Sequence, residues 1–317
     1  MLVFYIILFI ACCIALYFAG NLVLEGVSRA ARRFCVNEFV MAFFVMALAA
    51  SLPNLFLAIM AVANGVPQLS LGDVMGGNVV DMTLAIALAV FFSKKGVSAK
   101  GETMQMSLFF TFIAAILPLV LLIDNNLSRI DGLVLMVFFC VYIYWLLSKK
   151  ERFCFIYSGH KIGNNETSGA ANYGKLLGGI LILAGVAQSV ILLAESFSID
   201  YAISLPLVGT LIVGLGNSLP EIYFGILAAK AGRTKMILGD VMGAIILPGT
   251  LVLGLVALLS PIEITDVKMF AVARYFLLLA AIIFYVCART GQKITKKEAL
   301  MLLSIYLAFL MIEIFTK

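Results

Sequence analysis

The hexapeptide LGDVMG occurs twice in this chain, at 71–76 and again at 238–243. The recurrence belongs to a longer register. Displaced by 167 residues, the segment VMALAASLPNLFLAIMAVANGVPQLSLGDVMGGNVVDMTLAIAL (45–88) lies without a gap over IVGLGNSLPEIYFGILAAKAGRTKMILGDVMGAIILPGTLVLGL (212–255). SLP matches SLP and LGDVMG matches LGDVMG, with the same 21-residue interval from Ser51 to Gly72 as from Ser218 to Gly239. Apolar helices share scattered Leu and Ala by chance, but not two polar motifs in register. The chain is built from two copies of one unit.

Composition sets the medium. Of 317 residues, 63% are hydrophobic and 12% charged, with a mean hydropathy of +1.13; a soluble domain carries roughly a quarter charged residues. Such a chain buries its apolar surface in lipid. Charged, Gly, Asn and Pro breaks divide it into ten predicted spans, at 2–24, 37–63, 70–92, 104–123, 130–148, 175–196, 202–229, 236–260, 269–288 and 295–315. About 20 residues suffice to cross a hydrocarbon core of ~30 Å. The first 24 residues carry no basic leader and read as a retained span, not a cleaved signal. At the loops after odd-numbered spans stand 18 Lys and Arg, against Arg129, Lys268, Arg274 and Lys317 on the other side. That asymmetry predicts a cell-membrane protein with both termini outside and the 149–174 loop in the cytoplasm.

The net charge of +5 is then a matter of loop placement and implies no nucleic-acid partner. The six cysteines (12, 13, 35, 140, 154, 287) show no CxxC spacing, so free apolar side chains are expected. Trp145, Tyr142 and Tyr144 are expected at a membrane interface, as are Glu25, Glu195 and Glu313, with the sole histidine, His160, in the solvated loop. No Ser/His/Asp arrangement, phosphate-binding loop or His-rich metal motif is present, so no enzyme chemistry is indicated.

Five spans per copy is an odd number, so the copies enter the membrane in opposite directions. The expected fold is an all-α integral membrane protein of ten transmembrane helices in two inverted five-helix repeats, 1–148 and 175–317, joined by the 149–174 linker. Inverted repeats are a signature of secondary transporters, whose substrate site lies near the midplane where the repeats meet. A proline among polar groups, as in Ser51-Leu52-Pro53-Asn54 and Ser218-Leu219-Pro220-Glu221, is expected to interrupt the backbone ladder and free carbonyls for a bound cation. Gly72/Gly76 and Gly239/Gly243 have the spacing of close helix packing.

The tandem of AASLPN and GNSLPE, each followed by LGDVMG, resembles the alpha-repeats of the calcium/cation antiporter superfamily, particularly its prokaryotic sodium/calcium exchanger branch. The resemblance covers nearly the whole chain. It implies two pairs of broken helices around a central cluster of cation sites where calcium competes with sodium or protons. It also implies a peripheral helix pair that slides over the core. On this resemblance the ligand set is Glu221, Asp81 and Asn54, with Ser51, Ser218 and Asn217 around them. Several positions depart from the family pattern. Asn54 stands where glutamate is usual, Ala50 and Asn217 where threonine is usual, and Gly77 and Ala244 where serine is usual; Pro248 cannot coordinate through its side chain.

The duplicated acids are a separate question. Asp73, Gly77 and Asp81 are spaced i, i+4, i+8 on one helical stripe, which puts Asp73 roughly 12 Å along the axis from Asp81. Asp240 repeats that position in the inverted half. Two readings stand: Asp73 and Asp240 line the access routes on either side of the centre as cation ligands or proton carriers, or they bridge helices. The expected function is a secondary cation antiporter, exchanging Na⁺ for Ca²⁺ by alternating access at a midmembrane carboxylate site. It would work as a monomer in the bilayer, without soluble cofactor or ATP. The alternatives are Ca²⁺/H⁺ or Na⁺/H⁺ antiport on the same fold, or a non-transporting, channel-like relative with a degenerate site.

Overall fold

The computed structural model describes residues 4–15, 18, 48–148, 169–264 and 267–315. The loop after the first expected span, His160, Cys35, Cys154, Glu25 and most of the expected linker lie outside the described residues. Ten helices appear in the described chain: α1 (Phe4–Ala15), α2 (Leu48–Ala63), α3 (Pro67–Phe92), α4 (Glu102–Leu121), α5 (Arg129–Ser148), α6 (Gly169–Tyr201), α7 (Leu205–Lys230), α8 (Thr234–Leu259), α9 (Val267–Arg289) and α10 (Lys296–Phe315). Seven of them, α3, α4, α5, α7, α8, α9 and α10, are long and apolar enough to cross a membrane. Helix α6 starts at Gly169, inside the expected linker. The stretch GAANYG is polar enough to read as loop but holds no proline to stop a helix.

The 167-residue register survives in three dimensions. Shifted by 167, the bounds of α3 become those of α8 and the bounds of α5 become those of α10. Helices α2 and α7 share their C-terminal end in the same way. Four two-residue strands in the connections, β1 (Val97–Ser98), β2 (Asn126–Leu127), β3 (Ile262–Glu263) and β4 (Lys293–Ile294), pair antiparallel as β1 with β4 and β2 with β3. Each pair ties a connection of one repeat to a connection of the other. The α3–α4 and α9–α10 connections therefore share one end of the molecule, and the α4–α5 and α8–α9 connections share another. That is the alternation which two inverted five-helix repeats require.

The repeats interlock. Helix α5 packs on the second half of α8, and α10 packs on the second half of α3, so each repeat's last helix covers the other's middle one. Small residues make this close approach possible. A Cβ on Gly132 would stand 2.7 Å from the Gly254 carbonyl, and the repeat-related positions are Ala299 and Ala87, both fully buried. Within lipid such packing, and not hydrophobic exclusion, holds helices together. The result places α3 and α8 at the centre, with 78% and 83% of their most apolar stretches buried inside the protein, against 22% for α5. The outer helices turn Ile130, Tyr144, Leu300 and Phe315 outward.

A second apolar cluster joins α1, α2, α6 and the start of α7. Phe9 of α1 meets Phe197 of α6 edge-on at 6.2 Å, and the Tyr5 hydroxyl donates to the Asp200 carboxylate at 2.6 Å. Asn64 of α2 and Gln188 of α6 exchange amide hydrogen bonds of 2.8 and 3.1 Å.

Two local expectations need correcting. Tyr142 is fully buried, its hydroxyl donating to Ser107 Oγ at 3.4 Å and its ring against Trp145 and Phe110; only Tyr144 is exposed as an interfacial ring would be. Glu313 is also buried, with Oε2 unpartnered. The four described cysteines, Cys12, Cys13, Cys140 and Cys287, are free thiols.

Candidate cation site between the repeats

The SLP motifs take different forms in the two repeats. Helix α7 stops at Ser218 and restarts with Leu219–Lys230, placing Pro220 in the first turn, where its missing N–H costs nothing. Glu221 follows in that same turn, at the positive end of the half-helix. In α2 the helix runs on through Ser51 and Pro53 to Ala63, so the expected interruption is seen in the second repeat alone among the described residues. The middle helices carry a different distortion. Asp81–Ala85 of α3 and Leu247–Val252 of α8 are π-helical, at repeat-related positions. Pro248 has no N–H to offer the Ala244 carbonyl, which gives α8 a cause for its wider turn. Such segments collect at functional sites.

Helices α3 and α7 meet backbone to backbone. A Cβ on Gly72 would lie 2.5 Å from the Pro206 carbonyl, one on Gly76 would overlap the Thr210 carbonyl, and one on Gly214 would lie 2.7 Å from the Gly77 nitrogen. The glycine motif of the first repeat is thus a packing surface, and it draws α7 close enough for side chains to meet across it. Asn217 Nδ2 donates to Asp73 Oδ1 at 2.9 Å, and Ser218 Oγ donates to the Gly77 carbonyl at 3.4 Å.

These distortions and contacts surround a polar cavity. Asn54 of α2, Asp73, Val74, Gly77, Asn78 and Asp81 of α3, Asn217, Ser218 and Glu221 of α7, and Ala244 and Pro248 of α8 line it. The centre of a water-sized sphere can move over about 10 Å³ there, the room of one water or one bare cation. Asp73, Asp81, Glu221 and Asp240 are only 2%, 3%, 4% and 2% exposed. Among the described residues, one oxygen of each finds no hydrogen-bond partner, and the same holds for Asn54 Oδ1 and Ser51 Oγ. Among the described residues, the lining contains no Lys, Arg or His.

Five of the six residues expected as the central set therefore share one cavity: Glu221, Asp81, Asn54, Ser218 and Asn217. Ser51 is buried and unpartnered but does not reach the wall. Of the duplicated acids, Asp73 lines the cavity, whereas Asp240 is buried outside its wall with Oδ2 unpartnered among the described residues. Gly77, between Asp73 and Asp81 on their stripe, has no side chain to close the gap, whereas Ala244 fills the matching place in α8. Asn78 lines the cavity and was not among the expected ligands. Its spacing of i, i+3 to Asp81 is the signal that would have found it.

Among the described residues no three Asp, Glu, His or Cys side chains clasp a single point. The oxygens around the cavity are a mixture of carboxylate, amide, hydroxyl and carbonyl groups, the donor set that hard cations take. Inverted repeats, distorted helices at their junction and a buried acidic cavity together define a secondary cation transporter. The chain belongs to the sodium/calcium exchanger protein family, whose profile matches residues 4–148 and 172–315. It is 27% identical over 300 residues to an uncharacterised membrane protein of Methanocaldococcus jannaschii, covering 93% of each chain. It is also 23% identical to the sodium/calcium exchanger MaX1 of Methanosarcina acetivorans, over 91% of this chain and 92% of that one. Among solved structures, the sodium-calcium exchanger NCX_Mj soaked with Na⁺ and Sr²⁺ matches with a TM-score of 0.64 at 26% identity, covering 96% of both chains. The family is one of membrane transporters, and the fold is that of the NCX_Mj exchanger.

Proposed function

We propose that this protein exchanges Ca²⁺ for Na⁺ across the cell membrane by alternating access at the cavity between α2, α3, α7 and α8. One observation carries the reading: buried carboxylates with unpartnered oxygens surround a one-ion space without any cationic side chain to offset them. Uncompensated charge inside a membrane protein is costly and marks an ion or proton path. Glu221 and Asp81 supply charge to the ion, Asn54 and Ser218 supply neutral oxygens, Asn217 shapes the wall, and Ser51 stands behind it. Calcium takes six to eight oxygens and binds tighter as ligand charge rises. Sodium competes for the same oxygens, and a site that faces one side at a time makes the two fluxes obligatory. Sodium running down its gradient then expels calcium, with no ATP and no soluble cofactor, in a monomer whose termini face outward and whose 149–174 loop is cytoplasmic.

The unpartnered carboxylate oxygens also favour a second reading, in which protons replace sodium as the counter-ion. One assay separates the two. Proteoliposomes are loaded with sodium, diluted into sodium-free medium and followed for ⁴⁵Ca²⁺ uptake, then compared with vesicles carrying only a pH gradient. Uptake driven by sodium supports the first reading, and uptake driven by the pH gradient alone supports the second. Uptake under neither gradient rejects calcium antiport.

A further inference from the structure

The repeat makes an internal control of every site residue. At one pair of positions the second repeat has Glu221 and the first has Asn54, so the first repeat's SLP motif brings no charge to the cavity. At another pair both repeats have an aspartate, yet Asp73 lies on the cavity wall and Asp240 does not. At a third pair the second repeat has Asn217, whose amide holds Asp73 Oδ1 at 2.9 Å, while the first has Ala50, which has no amide to give. The charge absent from one position of the first repeat is present at another position of that same repeat, in the same cavity.

We propose that Asp73 is a cation-binding residue of this cavity, supplying the carboxylate that Asn54 lacks, and that Asn217 is its positioning residue. This inference rests on the reading of the cavity as a cation site. Asp73 Oδ1 is occupied by the Asn217 amide, and Oδ2 is left buried and unpartnered. A carboxylate fixed through one oxygen and free at the other has its orientation set and a lone-pair face to offer. The close approach of α3 and α7 maintains the arrangement: a Cβ on Gly214 would stand 2.7 Å from the Gly77 nitrogen and 3.0 Å from the Asp73 carbonyl, so only glycine leaves room there. The three carboxylates are spread along the cavity instead of gripping one point. Asp73 therefore holds the ion from the flank beyond Asp81, and its charge acts across a poorly screened interior even where an oxygen does not touch the ion. With Asp73 included, a divalent ion meets three carboxylates; without it, two.

A helix-bridging Asp73 needs only a hydrogen-bond acceptor, which asparagine also provides, and gains nothing from charge placed elsewhere. A cation-binding Asp73 needs the charge. The test is equilibrium binding of ⁴⁵Ca²⁺, and separately of ²²Na⁺, to purified detergent-solubilised protein, with size-exclusion profiles confirming folded material. D73N is expected to weaken binding by about tenfold or more, since affinity follows ligand charge, and D240N to weaken it less. The double variant D73N/N54E is expected to regain most of the loss, and N217A to fall between wild type and D73N. The inference is overturned if D73N binds as wild type does, if D240N is the more damaging change, or if folded D73N/N54E stays as weak as D73N. The same ranking with ²²Na⁺ in a protein that ignores ⁴⁵Ca²⁺ sustains the role of Asp73 and removes calcium from the function. Absence of binding by either ion, unaltered by E221Q, removes both.

Discussion

Helices α3 and α8 have the same bounds under the 167-residue shift and the same LGDVMG motif, yet they present different surfaces to the cavity between them. Helix α3 offers Asp73, Val74, Gly77, Asn78 and Asp81; helix α8 offers Ala244 and Pro248. The first halves of the repeats differ in the opposite sense, with Asn54 from α2 facing Glu221 from α7. Charge is thus distributed crosswise, on the middle helix of one repeat and the broken helix of the other. A symmetric scaffold does not require a symmetric cavity, because the residues that pack the helices differ from the polar ones that line the space. Glycines set the distance between helices, and polar side chains one turn away set what the space will hold.

The sharpest way to break this comparison is to damage the scaffold without touching a ligand. Gly76→Val places a branched side chain where even a Cβ overlaps the Thr210 carbonyl of α7. Backbone cannot move aside as a side-chain tip can, so a loss of about 3 kcal/mol or more is expected, seen as aggregated protein or a collapsed melting temperature. Gly77→Ala, one residue along, meets nothing nearer than Ser218 Oγ at 3.6 Å and should leave the melt close to wild type. Equal effects of the two changes would show that α3 and α7 are not in backbone contact.

Next come the polar side chains of the cavity. Glu221→Gln keeps the shape and removes a charge, and sodium-driven ⁴⁵Ca²⁺ flux is expected to fall by about a hundredfold or more. Asn54→Ala, at the repeat-related position, removes only a neutral oxygen and should cost about tenfold or less. Matching losses would erase the asymmetry between the repeats.

Much of the scaffold was legible in the sequence. Spans expected at 70–92, 130–148 and 295–315 are observed within a few residues of those limits, because hydropathy changes sharply where the lipid ends and the flanking residues are charged. The repeat register pointed to the cavity on similar grounds: lipid penalises polar groups in apolar helices, so a polar motif kept twice in register points to the protein's interior. Features made by tertiary contact were not legible. Tyr142 looks interfacial until Ser107, 35 residues away, is found to take its hydroxyl. The hydrogen bond from Asn217 to Asp73 spans 144 residues, and nothing near either residue announces it. The π-helical turns at Asp81 and Leu247 have no local signal beyond Pro248 in one of them. Sequence periodicity put Asp73 two turns from Asp81, but whether a cavity joins them depends on Gly77, Ser218 and the approach of α7.

The smallest expected effect tests the asymmetry most directly. Asp240 is buried with Oδ2 unpartnered, whereas its repeat mate Asp73 accepts from Asn217. The register places Ala50 at the position of Asn217, so Ala50→Asn should give Asp240 the amide that Asp73 already has. A new hydrogen bond to a buried carboxylate is worth about 1 kcal/mol after side-chain ordering, or a rise in melting temperature of roughly 2–4 °C. The gain should vanish in A50N/D240A, where no carboxylate remains to receive the amide. A rise that persists in the double variant would mean that the new side chain stabilises α2 for another reason. A fall in A50N alone would mean that the two repeats pack differently at this level, and that Asp240 faces a space which an amide cannot fill but a water or an ion can.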